Sequence, residues 1–274
     1  MRVCTLGDLL LDVVVRLDHP LVAGADTPAR TTIVPGGQAA NVAAWVAALG
    51  ADARLITKLA ADEGGGLAID ALTQLGVDVR GPFVAGGTGI VVSLVAGDGE
   101  RTMASDRGVS AALGPAELEP DWFAGCNHLH ISGYCLAAEP GRSAARRAAE
   151  LARAAGASVS LDLAASPLIE LCGPSRFREL VTTLAPDAVF CNEAEERAIG
   201  GALPGPAWIL KRGAKGAVFD GAARPAAPAR VVDTTGAGDA LAAGWIVAGP
   251  DLALAAAARC VATVGALPSP RVAS

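Results

Sequence analysis

The sequence predicts an α/β protein in which helices cover both faces of a mainly parallel sheet, a three-layer α/β/α sandwich. Two observations support this prediction. Short apolar segments typical of buried strands alternate along the chain with segments of helical periodicity, and such alternation favours parallel strands joined by crossover helices. Two further stretches interrupt the alternation and have the pattern of extended chain. In sheets of this kind, ligands bind outside the carboxyl ends of the strands.

The predicted elements follow one another at short intervals. The first strand, at 2–7, is almost wholly apolar. The first helix, at 41–49, has apolar side chains at helical spacing and ends at Gly50, because glycine readily adopts the conformation that terminates a helix. The same signals place further strands at 53–58, 158–163, 187–191 and 229–232, and further helices at 67–75, 142–155, 193–199 and 240–247.

The two stretches without helical periodicity lie at about 12–35 and 83–105. The second alternates clearly, with Ile90, Val92 and Leu94 on one face, and turn-forming residues interrupt both stretches, at 23–26 and 97–99. We expect them to form a small second sheet, a β-sheet lid over the site. An immobile edge hairpin has the same pattern. The chain, 1–274, is expected to be one domain.

The composition excludes several classes of protein. The chain has 274 residues, of which 52% are hydrophobic and 18% charged, unlike a disordered protein. Its net charge of −6 disfavours nucleic acid as a partner, because phosphate binding needs clustered Lys and Arg. No uncharged stretch is long enough for a membrane span, and no signal-peptide pattern is present. The six cysteines form no C-x-x-C pair, so we expect reduced thiols in a cytoplasmic protein.

The strongest chemical signal is the run 233–239, Asp-Thr-Thr-Gly-Ala-Gly-Asp, between a predicted strand and a predicted helix. Gly236 and Gly238 lack Cβ atoms, so the backbone can approach an anion closely. The amides of residues 236–239 then point outward at a helix N-terminus, which favours negative charge. Asp239 at the mouth of this anion hole is placed to accept a proton from a hydroxyl that attacks phosphorus. A plain Asp cap after a glycine turn is the structural alternative.

A second glycine motif, at 36–41, runs into the first helix. Its glycines allow close approach of a ligand, and Asn41 offers both a donor and an acceptor. Asp12, after the first strand, adds a carboxylate. A carboxylate and an amide together suit the hydroxyl groups of a polyol, which need polar partners when they are desolvated. Taken singly, Asn41 has the pattern of a helix N-cap and Asp8 that of a surface turn.

In these motifs the sequence resembles the ribokinase-like (phosphofructokinase-B type) family of sugar and nucleoside kinases. The matching segments, in chain order, are 7–12, 36–41, 62–78, 192–195, 211–216 and 233–239. The resemblance implies that Asp239 is the catalytic base. It implies an anion hole formed by Gly236, Ala237 and Gly238. It also implies that the phosphate-accepting substrate is held by Asp12, Gly37 and Asn41.

The same resemblance implies ATP and Mg²⁺ as cofactors. Asn192 and Glu195 match an Asn-x-x-Glu motif that organises magnesium, largely through water. Their i, i+3 spacing at a helix start directs both side chains the same way, and magnesium prefers oxygen-rich, outer-sphere settings. The loop beside the nucleotide is matched by Lys211, Gly213 and Gly216. The family often has Thr at the position of Lys211, where a lysine could contact phosphate directly.

Two further expectations concern a cation and a partner. Asp233 and Thr235, with the segment 265–269, resemble the loops that hold a monovalent cation, potassium, in some members. A homodimer formed through the lid is also expected, since the lid is the part of the chain that projects from the core.

The sequence therefore predicts an ATP-dependent carbohydrate kinase that phosphorylates a hydroxyl of a small sugar or sugar acid. Leu10, Gln38 and Ala164 depart from the pattern of ribokinase itself. These departures argue against identifying the protein simply as a ribokinase. An aromatic content of 4% disfavours a nucleoside kinase, which needs an aromatic or apolar wall for the base. That alternative, and a catalytically silent sugar- or nucleotide-sensing protein, stay open.

Several other side chains are weighed for function. Tyr134 can line the pocket or belong to the core. Arg101 and Arg107, near the lid, can meet a carboxylate or phosphate of an acidic sugar, or lie on an ordinary exposed surface. His128 and His130 share one face of a predicted strand, and with no third ligand nearby we expect packed histidines rather than a zinc site.

Overall fold

The computed structural model describes residues 1–96 and 101–269. The strands are β1 (Arg2–Leu6), β2 (Leu10–Leu17), β3 (Ala29–Gly36), β4 (Asp52–Ile56), β5 (Leu59–Ala60), β6 (Val77–Arg80), β7 (Phe83–Val84), β8 (Thr88–Val95), β9 (Arg101–Gly108), β10 (His128–Ser132), β11 (Ser158–Asp162), β12 (Ala188–Asn192), β13 (Ala207–Lys211), β14 (Ala217–Phe219) and β15 (Ala222–Arg224). The helices are α1 (Gln38–Ala48), α2 (Glu63–Gln74), α3 (Gly141–Ala154), α4 (Ser166–Cys172), α5 (Pro174–Leu184), α6 (Glu193–Ala198), α7 (Ala237–Ala248) and α8 (Pro250–Val261).

The main sheet has the order β15-β14-β13-β12-β11-β10-β1-β4-β6. All its neighbouring strands from β13 to β6 pair in parallel, while β14 and β15 are antiparallel additions at one edge. Parallel strands all end at the same edge of the sheet, so the loops that follow β1, β11, β12 and β13 lie side by side. This edge is where the candidate site lies.

Two hydrophobic cores, one on each face of the sheet, make the molecule three-layered. The first packs α1, α2, α7 and α8 against side chains such as Val3 and Leu55, and the second packs α3, α4 and α5 against Leu6 and Ile131. Neighbouring strand residues contribute to opposite cores because side chains alternate along a strand. The predicted α/β/α sandwich with a mainly parallel sheet is confirmed.

The lid is a separate four-stranded sheet with the order β3-β2-β8-β9. β2 pairs antiparallel with β3 and parallel with β8, and β8 pairs antiparallel with β9. The lid is tied to the core at its base. Asp62, which caps α2 through the amide of Gly65 (2.8 Å), also accepts hydrogen bonds from the amide and the hydroxyl of Thr88 at the start of β8. The predicted turn at 97–99 lies outside the described residues.

One predicted strand is wrong. Residues 229–232 form a loop instead, in which the amides of Val232 and Asp233 donate to the carbonyl of Val261 in α8 (2.7 and 3.2 Å). Pro225 and Pro228 just before it have no N–H for a strand ladder. The apolar pattern that suggested a buried strand is exposed here: Val231 is 64% accessible.

Four of the five predicted helices begin one to four residues earlier than predicted, and α6 begins at the predicted residue, Glu193; helix boundaries are the feature that sequence patterns locate least well. α2 begins at Glu63 and passes through three glycines, and α7 begins at Ala237 within the glycine motif. No helix formed by the described residues is both long and apolar enough to cross a bilayer.

Candidate active site

Two helix N-termini meet at the carboxyl edge of the sheet. α1 begins after Gly37 and α7 after Gly236, and both pack in the same core layer. Their first turns bring Asn41 and Asp239 together, with Asn41 Nδ2 donating to Asp239 Oδ2 at 2.8 Å. The Oδ1 atom of Asn41 is buried and has no hydrogen-bond partner among the described residues. An unpartnered buried acceptor is costly, so this atom is available for a ligand's hydroxyl.

The glycine motif shapes the start of α7. Gly236 caps the helix with φ at +75°, and a Cβ there would lie only 2.6 Å from Cα of Ala266, so only glycine fits. The amide of Ala237 donates to the carbonyl of Thr234 at 3.3 Å. The amides of Gly238 and Asp239 belong to the first turn, where a helix has no acceptors of its own. The helix start therefore leaves mainly the amides of Gly238 and Asp239 for an anion.

The carboxyl of Asp239 is half-buried and electrostatically poised. Burial, with a smaller repulsion from Asp162 and Asp12, raises the pKa of Asp239 to about 7, while the hydrogen bond from Asn41 and the charge of Lys211 act in the opposite direction. A carboxyl with a pKa near neutrality accepts a proton more readily than an ordinary aspartate and is still largely ionised above pH 7. The environment thus suits a general base.

Asp12 and Gly37 lie beside this pair, as the sequence motifs predict. Burial raises the pKa of Asp12 to about 6. Its carboxylate lies against Gly36, since a Cβ at position 36 would be 2.3 Å from Asp12 Cγ. Gly37 has φ at +103°, and a Cβ there would come within 2.3 Å of the carbonyl oxygen of Asp8. Gly36 therefore permits the close approach of Asp12 in β2, and Gly37 that of the loop after β1.

Asp8 is buried, although taken singly it has the sequence pattern of a surface turn. It is 5% exposed and receives two hydrogen bonds from Arg107, from Nε at 2.6 Å and from Nη2 at 2.8 Å. The Arg107 guanidinium also lies 5.6 Å from the ring centre of Tyr134. Since Asp8 follows β1 and Arg107 ends β9, this ion pair joins the core to the lid. The side chain of Arg101 lies outside the described part of the chain.

Asn192 and Glu195 form a reciprocal cap at the start of α6. Asn192 Oδ1 accepts the amides of Ala194 and Glu195 (2.8 and 2.9 Å), and the Glu195 carboxylate accepts the backbone amide of Asn192 (2.8 Å) and its side-chain amide (2.5 Å). Burial raises the pKa of Glu195, although Lys211 opposes this effect. The i, i+3 pair therefore holds the Glu195 carboxylate rigidly near Lys211. Glu195 is only 2% exposed.

Lys211 points inward from the end of β13. Its Nζ forms a 2.6 Å ion pair with Oδ2 of Asp162 at the end of β11. The same Nζ lies 3.4 Å from the position that a Cβ on Gly238 would occupy, which places the ammonium against the first turn of α7. Asp162 was not among the candidate site residues because its partner lies 49 residues away in sequence.

The two glycines after Lys211 differ in what surrounds them. Gly213 has φ at +54° and open space at its Cβ position, whereas a Cβ on Gly216 would lie 2.1 Å from the carbonyl oxygen of Arg224. Gly216 is thus required by the packing of β15. Gly213 leaves a gap beside the β13 end.

The loops that resemble a monovalent-cation site are held together by Asp233. Its Oδ1 accepts the amide and hydroxyl of Thr235 (2.8 and 2.7 Å), and its Oδ2 accepts the amide of Gly265 (3.0 Å). Three donors already occupy this carboxylate, so a cation there would depend mainly on backbone carbonyl oxygens.

His128 and His130 are packed in the sheet and hydrogen-bonded to serine hydroxyls. The Ser160 hydroxyl bonds both His128 Nε2 (2.7 Å) and His130 Nδ1 (2.8 Å), and Ser158 bonds His128 Nδ1 (2.7 Å). Within residues 1–96 and 101–269, no three His, Cys, Asp or Glu side chains are grouped to bind a metal ion directly. All six cysteines have free thiols.

A family model for the pfkB family of carbohydrate kinases matches residues 1–268. The chain belongs to this family. It is therefore a sugar or nucleoside kinase of pfkB type, as the resemblance implied, and the carbohydrate kinase activity predicted from the sequence is supported by relatives named as sugar kinases.

Two relatives align over most of this family member. The ATP-dependent ribose-1-phosphate kinase of Halopiger xanaduensis is 33% identical, and the alignment covers 90% of this chain and 84% of the relative. The fructokinase of Klebsiella pneumoniae is also 33% identical, with 96% and 93% covered.

Solved structures share the fold over nearly the whole chain. The adenosine kinase from Sinorhizobium meliloti has a TM-score of 0.84 at 27% identity and covers 97% of this chain and 95% of its own. An E. coli protein solved in complex with ATP and Mg²⁺ has a TM-score of 0.83 at 23% identity, with 97% and 94% covered. The second likeness bears on the fold alone.

Proposed function

We propose that the protein is a single-domain, ATP-dependent kinase that phosphorylates a hydroxyl of a small sugar or sugar acid, with Asp239 as the catalytic base. The observation that supports this most directly is the contact between Asn41 and Asp239. At this contact lie a carboxyl of raised pKa, a buried amide oxygen with no partner in the described part of the chain, and the first-turn amides of Gly238 and Asp239. These are the groups that a hydroxyl attacking a phosphoryl group requires.

The reaction follows from their positions. Asn41 Oδ1 and the Asp12 carboxylate accept hydrogen bonds from hydroxyls of the acceptor and orient it. Asp239 takes the proton of the attacking hydroxyl as its oxygen forms a bond to the terminal phosphorus of ATP. The bond between that phosphorus and the bridging oxygen breaks, and ADP leaves with the electron pair. The amides of Gly238 and Asp239 stabilise the negative charge on the transferring group, because they are oriented before the reaction.

Asn192 and Glu195 suit a magnesium ion held through water. Their mutual hydrogen bonds fix a buried carboxylate and an amide oxygen, an oxygen-only set. Magnesium keeps several of its waters in protein sites, so a direct cage is not needed. When bound, the ion neutralises negative charge on the nucleotide phosphates. The residues of this chain supply its anchor at the carboxyl end of β12.

The substrate class is proposed from the relatives and from the site. Relatives similar over most of the chain are named for ribose 1-phosphate and for fructose, both small hydroxylated molecules. A nucleoside is the second candidate, favoured by the structural likeness to an adenosine kinase. Near the site, the half-buried ring of Tyr134 already packs against the guanidinium of Arg107. Little of its aromatic surface is then left to stack on a nucleoside base.

ATP consumption across a panel tests these proposals. We expect ADP formation with at least one of fructose, ribose, ribose 1-phosphate or a sugar acid, and a phosphate ester of that acceptor by ³¹P NMR. Turnover with adenosine alone would establish the nucleoside kinase instead. If no acceptor supports turnover but one still raises the melting temperature, the protein is a sensor of that compound.

Asp239→Asn tests the base. We expect kcat to fall by about 10²–10⁴ while ADP still binds in isothermal titration calorimetry. Asp220→Asn is a matched control, since Asp220 is an exposed turn residue between β14 and β15; it should behave as wild type. Near-normal turnover by Asp239→Asn would remove the base from this mechanism.

Potassium activation is the remaining part of the cofactor proposal. The loops joined by Asp233 and Gly265 are the candidate position, with backbone carbonyls as the main ligands. Assays in which tetramethylammonium replaces potassium test it, since that ion is too large for a carbonyl cage: turnover that is unchanged rejects activation.

We also propose that the lid pairs with the lid of a second copy. Val13 lies opposite Ile33 on β3 and opposite Val92 on β8, so these three side chains share one face of the lid sheet. Ile33 and Ile90 on that face are 61% and 43% exposed. An apolar sheet face of this kind favours association.

A further inference from the structure

Lys211 at the end of β13 and Asp162 at the end of β11 form a buried ion pair. The two side chains are only 15% and 1% exposed, and Nζ and Oδ2 are 2.6 Å apart. Such a buried pair is a weak source of stability, because desolvation offsets much of its attraction. A role in binding or catalysis is the more economical reason for its position.

Asp162 is held firmly at its end of the pair. Its second oxygen, Oδ1, accepts the backbone amide of Ala164 at 3.1 Å. To make this turn, Ala164 adopts φ of +72°, a left-handed conformation that is unfavourable for an alanine. Strain of this kind persists where surrounding structure enforces it, often beside functional groups. The carboxylate therefore has one orientation, which aims Oδ2 at Lys211.

Lys211 is held among negative groups at the anion hole. Its ammonium packs against Gly238, and although burial by itself would lower the pKa of Lys211, the carboxylates of Asp162, Glu195 and Asp239 raise it. The side chain is thus charged throughout the physiological range. Its charge interacts with both Glu195, the proposed magnesium-side carboxylate, and Asp239, the proposed base. A terminal phosphoryl group bound at the start of α7 would therefore lie next to the ammonium of Lys211.

We propose that Lys211 contacts the terminal phosphoryl group of the nucleotide and that Asp162 is the positioning residue that holds the lysine there. This inference rests on the proposed function. Asp162 holds the ammonium at hydrogen-bond distance; without it, the flexible lysine side chain is attracted only by the charges of Glu195 and Asp239, which do not fix its position. With it, a positive charge is in place before the nucleotide binds, and such preorganised charge is the kind that stabilises phosphoryl transfer most.

The test compares two nucleotides that differ in the terminal group. Binding of Mg·AMP-PNP and Mg·ADP is measured by isothermal titration calorimetry on the wild type, Lys211→Met, Asp162→Asn and the double variant. Lys215→Met is the matched control, because Lys215 is an exposed lysine four residues along the same loop. We expect Lys211→Met to weaken AMP-PNP by about tenfold or more and to leave ADP close to wild type.

The double variant decides whether Asp162 acts through Lys211. We expect Asp162→Asn to weaken AMP-PNP selectively but less than Lys211→Met, and the double variant to be no worse than Lys211→Met alone. Equal losses for both nucleotides, no loss at all, or fully additive losses in the double variant would each overturn the proposal.

Two other outcomes must be distinguished from a failure of this inference: a variant that does not fold, and a wild type that does not transfer phosphate. Each single variant leaves one buried charge unpaired, which is strongly destabilising, whereas the double variant removes both charges. If only the double variant folds, its preference for AMP-PNP over ADP is compared with that of the wild type: retained preference overturns the proposal. If the wild type transfers phosphate to no acceptor but shows the Lys211-dependent preference, the proposed function fails and this inference stands. If the wild type does transfer phosphate but Lys211→Met keeps the wild-type preference for AMP-PNP over ADP, the proposed function stands and this inference fails.

Discussion

At the scale of single residues, Asn41 connects the two halves of the proposed chemistry. Its Nδ2 donates to Asp239, the proposed base, and its Oδ1 is the buried acceptor without a partner among the described residues. The donated hydrogen bond stabilises the ionised form of Asp239 and lowers its pKa, against the larger effect of burial. One amide can thereby tune the base and orient the acceptor hydroxyl that the base deprotonates.

Asn41→Leu separates these effects in a pH–rate profile. For the wild type, kcat/KM should decline as the pH falls below about 7, where Asp239 becomes protonated. Removing the donor raises the pKa of Asp239, so in Asn41→Leu the acidic limb should move to higher pH and the KM for the acceptor should rise. Asn127→Ser serves as the control, because Asn127 is an exposed residue just before β10, at the edge of the sheet away from the site. A limb that stays in place or moves to lower pH contradicts the coupling.

At the scale of elements, the neighbouring strands β10 and β11 carry a buried row of hydrogen-bonded side chains, which we call the polar ladder: His128, His130, Ser158 and Ser160. β11 ends in Asp162 and also carries Ser158 and Ser160, which hydrogen-bond the two histidines of β10. Burial lowers the pKa of His128 to about 3 and that of His130 to about 4, so both are neutral at neutral pH. The edge of the His130 ring also packs on Phe190, at 5.6 Å between ring centres.

This ladder should make the fold sensitive to acid. Because the folded-state pKa values lie below the ordinary 6.5, the unfolded chain binds more protons, and stability is lost as the pH falls from about 6.5 toward 4. Between pH 7 and pH 5 each histidine should cost about 2 kcal/mol. Urea unfolding of His128→Gln at both pH values should show a smaller loss than the wild type by about that amount.

The exposed His19 provides the control for this measurement. His19→Gln should lose as much stability as the wild type between the two pH values. An equal loss in His128→Gln would mean that His128 does not contribute to the acid sensitivity.

At the scale of the whole molecule, the lid has one face toward the site and one apolar face outward. The carboxylate of Asp12 belongs to the inward face, and Val13, the next residue along β2, belongs to the outward one, because side chains alternate along a strand. The same strand therefore serves both the acceptor site and the proposed lid–lid contact. Association would hold the lid in position through the chain that carries Asp12.

Sedimentation velocity tests this association. We expect the wild type to sediment as a dimer and Ile33→Lys as a monomer, because a charge would be buried without a partner at the interface. Leu171→Lys is the control, since Leu171 is 88% exposed on α4, outside the lid. A wild type that stays monomeric across the concentration range rejects the lid–lid contact.

The sequence alone was sufficient for the features that depend on local pattern. The alternation of apolar strands and helices predicts the parallel sheet with helices on both faces, and the run 233–239 indicates a glycine-opened helix start with an acidic residue. The strand predicted at 229–232 failed because local hydropathy does not reveal whether a neighbouring strand is present to pair with it.

Only the tertiary structure decided which side chains meet. Asn41 and Asp239 are 198 residues apart in sequence, and Arg107 and Asp8 are 99 apart. Their contacts depend on strand order and on the packing of α1 against α7, which no local pattern encodes. Asp8 has the sequence pattern of an exposed turn, and Asp162 gives no signal beyond its place at a strand end. The fold buries both carboxylates, and a buried charge requires a partner, which here is Arg107 for one and Lys211 for the other.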